Sequence, residues 1–225
     1  MVRRIVDGMS RGLHLDTYLL AFDTRAQSLE DRTRAGFLVR AAALAELAER
    51  GAVVEGGAGR VEVVSAEATD DRVLDGVLAE LAGRPRRWKS WIRRGRDETL
   101  EAVEQRLAML GVVTMADRDP YGPVVAQRAV AMVDPREALD LQVRVAEVAR
   151  GGSPVDGVGF GDAVLVALAA HGRVRLVLSG KERKANAERI AAFTERVGER
   201  APGLAKAVGG LGLTMVAAQG GMGGS

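Results

Sequence analysis

Seven of the chain's 32 basic side chains fall between Arg84 and Arg96, together with its only tryptophans, Trp88 and Trp91. The stretch reads R-P-R-R-W-K-S-W-I-R-R-G-R and contains no acid; its cations are Arg84, Arg86, Arg87, Lys89, Arg93, Arg94 and Arg96. Without these seven, 25 basic residues face 30 acidic ones, so the remainder is net acidic although the whole chain is +2. Cations at this density attract phosphates and anionic lipid headgroups. Indole rings favour a membrane–water boundary. The chemistry expected is therefore binding to an anionic surface. Two other readings of the same residues stay open. Trp91 and Ile92, with Trp88 three positions earlier, fit the inward face of a helix whose arginines are merely solvated. Gly83-Arg84-Pro85-Arg86 also resembles a hook that inserts Arg-Pro-Arg into the DNA minor groove, although Ala82 stands where a further basic residue usually precedes the glycine.

Residues for catalysis or metal binding are sparse. The chain has no cysteine, which removes disulfide and thiolate chemistry and fits a reducing compartment. Its two histidines, His14 and His171, are far apart, and there is no HExxH or Cys/His cluster, which argues against zinc. No GxSxG elbow is present. Gly157-x-Gly159-x-Gly161 lacks a preceding strand and reads as a helix entrance. Ser179-Gly180-Lys181 carries Arg175 where a phosphate loop needs its leading glycine. The acid pairs Asp70-Asp71 and Asp97-Glu98 each open a helix, where negative charge suits the dipole. His171, beside Gly172, reads as a structural helix-end residue. No enzymatic activity, metal or cofactor is expected.

The elements that must carry the basic stretch can be read from periodicity. Leu13–Phe22 is a short apolar helix, and 27–34 a polar loop. Phe37, Leu38, Ala41, Leu44, Ala45, Leu47 and Ala48 recur at helical spacing up to Arg50-Gly51, a glycine stop. Ala52–Glu55 and Arg60–Ser65 flank a glycine turn and form a hairpin. Asp70 caps a helix reaching Leu81, and Asp97 caps a second with Leu100, Val103, Leu107 and Leu110 inward. That helix stops at Gly111 before another hairpin, Val112–Met115 and Pro123–Val133, turning at Asp117–Gly122. Asp134-Pro135 opens a helix to Arg150. Asp162–Gly172, apolar almost all round, is a buried core helix. Glu182–Glu199 is amphipathic, and Gly203–Ala218 is a glycine-interrupted apolar segment. The fold class expected is mainly α: one globular helical domain over 13–218 with two β-hairpins, an arm at 1–12 and a flexible glycine-rich tail at 219–225. No run approaches the roughly 20 apolar residues that span a bilayer, and no signal peptide is read, so membrane contact is expected to be peripheral and cytoplasmic.

Taken in order, these segments resemble the Golgi phosphoprotein 3 family in its bacterial, actinobacterial-looking form. The run from Leu38 to Gly51, L-V-R-A-A-A-L-A-E-L-A-E-R-G, is similar to the family's Leu-Arg pair followed by Glu-Leu-Ala-x-Arg-Gly. Trp91-Ile92 resembles its Trp-Ile or Trp-Leu, and Leu100–Val113, Leu-x-x-Val-x-x-Arg-Leu-x-x-x-Gly-Val-Val, its later helix and strand. The resemblance implies a helical domain with a protruding hairpin, phosphatidylinositol 4-phosphate binding at a membrane, and self-association through the hairpin. In eukaryotes it implies retention of glycosyltransferases, hence a membrane-protein client. The family's headgroup site uses one tryptophan and three arginines. Arg40 matches the first arginine, and Arg106 is kept beside the site. The tryptophan position holds Asp31, and the other two arginine positions hold Glu101 and Glu104. Two carboxylates oppose a phosphate, so the lipid contact is expected at Arg84–Arg96, with Arg40 and Arg106 assisting. Self-association is expected at Tyr121, Val124 and Val125, on the 117–133 hairpin. The alternative is a winged-helix-like DNA-binding regulator; a plain scaffold is a third reading.

Overall fold

The computed structural model describes residues 11–116 and 129–220. Among them are eleven helices and seven short strands, so the mainly helical class expected from periodicity holds.

Helix α1 (Leu13–Leu20) is buried along its whole length. A small antiparallel pair, β1 (Phe22–Asp23) and β2 (Ser28–Leu29), leads to α2 (Arg32–Glu49). The segment expected as a loop at 27–34 is therefore part strand and part helix. Asp31 makes the difference, because its side chain accepts the Arg34 backbone N–H and caps α2 early. From Ala35 to Ala48 every residue of α2 is buried. Its small side chains at 41–43 and 45 let neighbouring helices come close from several sides. It stops where expected, at Gly51, whose φ of +70° is the left-handed conformation that glycine adopts without steric cost.

Strands β3 (Val53–Glu55) and β4 (Arg60–Val63) form the expected hairpin, with Val53 opposite Val63 and Glu55 opposite Val61. After α3 (Arg72–Leu81) comes a third strand, β5 (Arg86–Arg87), which joins β4 with Arg60 opposite Arg87 and Val61 opposite Arg86. The cap of α3 is Asp71, which accepts the backbone N–H groups of Val73 and Leu74. Asp70, the expected cap, has φ +61° and lies outside the helix.

Helix α4 (Trp88–Arg93) and α5 (Arg96–Met109) meet at Gly95, φ +64°. The turn at Gly95 starts α5 one residue before Asp97, which lies in the first turn and is not its cap. Leu100, Val103 and Leu107 face inward as expected. Leu110 closes the helix end and is 46% exposed. Strands β6 (Val113–Met115) and β7 (Val130–Met132) pair antiparallel, Val113 opposite Met132. The turn expected between them, with Tyr121, Val124 and Val125, lies outside the described residues, as do the arm before Arg11 and the tail beyond Gly220.

Asp134 caps α6 (Pro135–Arg150), with proline in the first turn. Helix α7 (Phe160–His171) is enclosed from Ala163 to Ala170. The amphipathic segment after it is two helices, α8 (Gly180–Ala185) and α9 (Ala187–Gly198), broken at Asn186. A capping box between Ser179 and Glu182 opens α8. Helices α10 (Pro202–Gly209) and α11 (Leu211–Gly220) complete the chain. Helices α2 and α7 pack on each other at the centre of one hydrophobic core that runs from Leu13 to Met215, and α1, α3–α5, α9 and α10 surround them. Each fully buried leucine or valine there contributes about 1.5–3 kcal/mol.

Candidate functional site

The basic stretch folds into β5, α4 and the start of α5, and its side chains sort by face. Trp88, Trp91 and Ile92, at positions i, i+3 and i+4 of α4, point into the core. Trp88 is 1% and Trp91 4% exposed, so neither indole reaches a membrane surface. This corrects their expected role as lipid contacts: both rings place their large apolar area in the core. Trp88 donates its ring N–H to Glu55 at 3.0 Å, and the guanidinium of Arg86 lies over the Trp91 ring at 5.9 Å. Arg86 is therefore half-buried strand packing, while Arg84 and Pro85 before it are exposed.

The outward face collects the remaining cations. Arg87, Lys89, Ser90, Arg93, Arg94 and Arg96 line one open depression of about 560 Å³. No acid is in its wall. Among the described residues no carboxylate lies within 4.0 Å of the charged groups of Arg87, Lys89, Arg93 or Arg94, while Arg96 meets Asp97 at 3.4 Å and lies over the Phe37 ring at 4.7 Å. Five positive charges around one concavity form a site for an anion, with Ser90 as a neutral donor. Arg84 is exposed nearby, outside this lining.

Arg40 does not join them. It is fully buried, and each guanidinium nitrogen is engaged: Nε donates to the Trp91 carbonyl at 3.2 Å, Nη1 to Thr99 Oγ1 at 3.0 Å and Nη2 to Glu80 at 2.8 Å. Burial lowers its pKa, and the Glu80 charge offsets part of that. Its expected headgroup role is corrected to that of a structural cation tying α2 to α3, α4 and α5. Arg106 also points elsewhere, its Nε 3.9 Å from Asp71.

The carboxylates expected to oppose a phosphate divide. Glu101 is exposed. Glu104 is buried and already neutralised: Arg32 meets it with two hydrogen bonds, at 2.5 and 2.8 Å, and the Tyr18 hydroxyl donates to it at 3.2 Å.

A buried polar cluster escaped the sequence reading. His14 is fully enclosed, with Nδ1 2.8 Å from Glu46 Oε2 and Nε2 3.5 Å from Asp71 Oδ2, the second a long ionic contact. Glu46 also accepts the Leu13 backbone N–H at 2.7 Å and an Arg50 bond at 2.6 Å. Burial alone would lower the His14 pKa, but its two carboxylate partners outweigh this and raise it. Asp71, pushed up by burial, is brought down to about 2 by His14 and by its two backbone N–H bonds. The only sequence signal was a glutamate at an inward position of the alanine-rich α2. His171 closes α7 as expected, with Nε2 3.0 Å from Thr194 Oγ1; burial lowers its pKa. Among the described residues no group of three or more His, Cys, Asp or Glu could hold a metal ion, and no helix is long and apolar enough to cross a membrane.

A family profile described as Golgi phosphoprotein 3 matches residues 13–210, most of the 225-residue chain. The chain belongs to the Golgi phosphoprotein 3 family. A search of curated proteins found no match. Of the positions expected from the resemblance to form a headgroup site, Asp31 is the cap of α2 and Arg40 is buried. The two later arginine positions hold the exposed Glu101 and the Arg32-paired Glu104. A group of largely solvent-facing cations stands on β5, α4 and the start of α5.

Proposed function

We propose that this Golgi phosphoprotein 3 family member is a non-enzymatic peripheral protein that binds anionic lipid headgroups through Arg87, Lys89, Arg93, Arg94 and Arg96, at the inner face of a membrane. The observation that carries this reading is the acid-free depression that these five residues line with Ser90. The inward tryptophans support an electrostatic contact without ring insertion. The altered family positions favour general recognition of anionic surfaces over selective recognition of phosphatidylinositol 4-phosphate. An adaptor role for a membrane-protein client is part of the same proposal.

Vesicle co-sedimentation tests it. Binding should require anionic lipid and fall as salt rises. Each basic residue near such a surface is worth about 1 kcal/mol, so replacing Arg87, Lys89, Arg93 and Arg94 together with Ala should weaken binding by roughly a thousandfold. All four are exposed, so the variant should fold. Equal binding to neutral vesicles with no salt effect would overturn the reading, as would nanomolar binding to one DNA sequence at near-physiological salt, since nonspecific binding is typically about 10⁻⁴–10⁻⁶ M there.

A further inference from the structure

Beside the cationic depression lies a second one of about 680 Å³, and the two share Arg87 and Lys89 as a common wall. Their linings differ in character. The first is lined only by charged or polar residues, whose aliphatic stems supply about half of its surface. The second is walled mainly by uncharged and apolar groups, among them Trp88, Ala58, Pro202 and Ala207, with Lys206 exposed at its edge. A volume of several hundred Å³ lined this way is in the range that holds small ligands.

The second depression has a built floor. Glu55, at the end of β3, accepts the Trp88 ring N–H at 3.0 Å and the Gly203 backbone N–H at 2.6 Å, both on Oε2. These bonds join β3, α4 and α10 around the concavity. Gly203 is required for the approach, because a Cβ there would lie 2.6 Å from Trp88 Cδ1 and 2.8 Å from Glu55. Among the described residues, Glu55 is also the only carboxylate lining either depression. Its charge disfavours a second anionic group in the apolar half, so the pair of depressions has a direction, with the anion toward Arg93, Arg94 and Arg96 and hydrocarbon toward Trp88 and Ala207.

We propose that the two depressions form one site for a whole amphiphile, with its phosphoryl head among the cations and the first part of its hydrocarbon chain against Ala58, Pro202 and Ala207, over the buried Trp88 ring. This rests on the headgroup reading above and extends it from a charged surface contact to extraction or clamping of a single molecule. Two sources supply that chemistry: a phospholipid still in a bilayer, and a free phosphorylated amphiphile. The aliphatic stems of Lys89 and Lys206 can cover the chain while their ammonium groups stay in water.

The test uses the full chain carrying Trp91→Phe, which leaves Trp88 as the sole tryptophan, selectively excited at the red edge of its absorption, and removes a ring N–H that is buried without a partner. The probes are short-chain phosphatidic acids below their micelle-forming concentration, a brominated version of one, and glycerol 3-phosphate as the head alone. Burial of the chain predicts that affinity rises by roughly fourfold per methylene and that the brominated chain quenches Trp88. Gly210→Leu adds bulk at a wall position whose φ of −87° accepts a side chain. It should weaken the short-chain lipid by about tenfold and leave glycerol 3-phosphate within about twofold of the parent. Lys206→Glu, at an exposed position, should weaken the lipid without affecting folding. Quenching by brominated lipid in vesicles identifies the bilayer as the source; quenching by the monomer alone identifies a free amphiphile. If affinity is independent of chain length and Trp88 is unquenched while anionic vesicles still bind, the two-part site is wrong and the headgroup reading stands. If neither anionic vesicles nor the monomeric lipid binds, both fall.

Discussion

At the residue scale, His14 touches a carboxylate with each ring nitrogen, and no solvent reaches it. The groups facing it are Glu46 on α2, itself held by Arg50, and Asp71 at the start of α3, with Arg106 of α5 beyond it. A proton on His14 completes this buried network, which is why its pKa is raised. The sign of the linkage follows. His14 stabilises the fold fully below its ordinary histidine value, and that contribution is lost as pH rises through the raised one. Glu46 and Asp71 are lowered, so theirs is present above the ordinary carboxylate range and lost as pH falls toward about 2 for Asp71. Stability should therefore have a plateau from above the carboxylate range to about the ordinary histidine value and decline on the alkaline side. His14→Ala leaves two buried carboxylates without their shared cation and should cost about 3–5 kcal/mol. Urea unfolding between pH 5 and 9 checks both; parallel pH profiles for the two proteins would refute the assignment. The network was illegible in the sequence because its members come from four separate elements. A lone histidine in an apolar run and one glutamate among alanines carry no spacing signal.

At the element scale, what was legible depended on whether the determining contact was local. Gly51 and Gly111 both have positive φ and both end helices as read, because that conformation is a property of the residue itself. Caps were harder. Asp70 and Asp71 are adjacent acids in the sequence; Asp71 is the one that accepts the Val73 and Leu74 N–H groups and also faces His14 and Arg106. Strand β5 was missed because two arginines after a proline carry no alternation; β4 imposes the strand. The tie between β3, α4 and α10 is of the same long-range kind. Since both hydrogen bonds to Glu55 fall on one oxygen, Glu55→Gln can keep them through its carbonyl and should be nearly neutral. Glu55→Ala loses both and should cost about 1.5–3 kcal/mol. Denaturant titration of the two variants decides it, and equal losses would show that the oxygen is not the link.

At the scale of the whole molecule, the sequence located the charge but not its face. The run Arg84–Arg96 was visible as composition. Its division into buried indoles and an outward cationic depression needed α4, whose register is set by the core beneath it. The family's expected site was legible only as positions, and burial of Arg40 and pairing of Glu104 with Arg32 could not be read from them. The second hairpin bears on assembly. Around its base, Met109, Leu110 and Val133 are 63%, 46% and 59% exposed, and Val133 is tied to Val112 by a backbone bond at 3.0 Å. Large apolar side chains gathered at one place commonly mark a protein contact, and a two-stranded sheet is marginal without a covering surface. A concentration-dependent oligomer is therefore expected, with this end of the molecule in the contact. Met109→Glu with Leu110→Glu should shift it to monomer while leaving the unfolding midpoint nearly unchanged, because both positions lie outside the core. Sedimentation velocity over a wide concentration range provides the check. A monomer at every concentration in the unaltered protein would end the idea, and an oligomer that persists in the double variant would place the contact on another face.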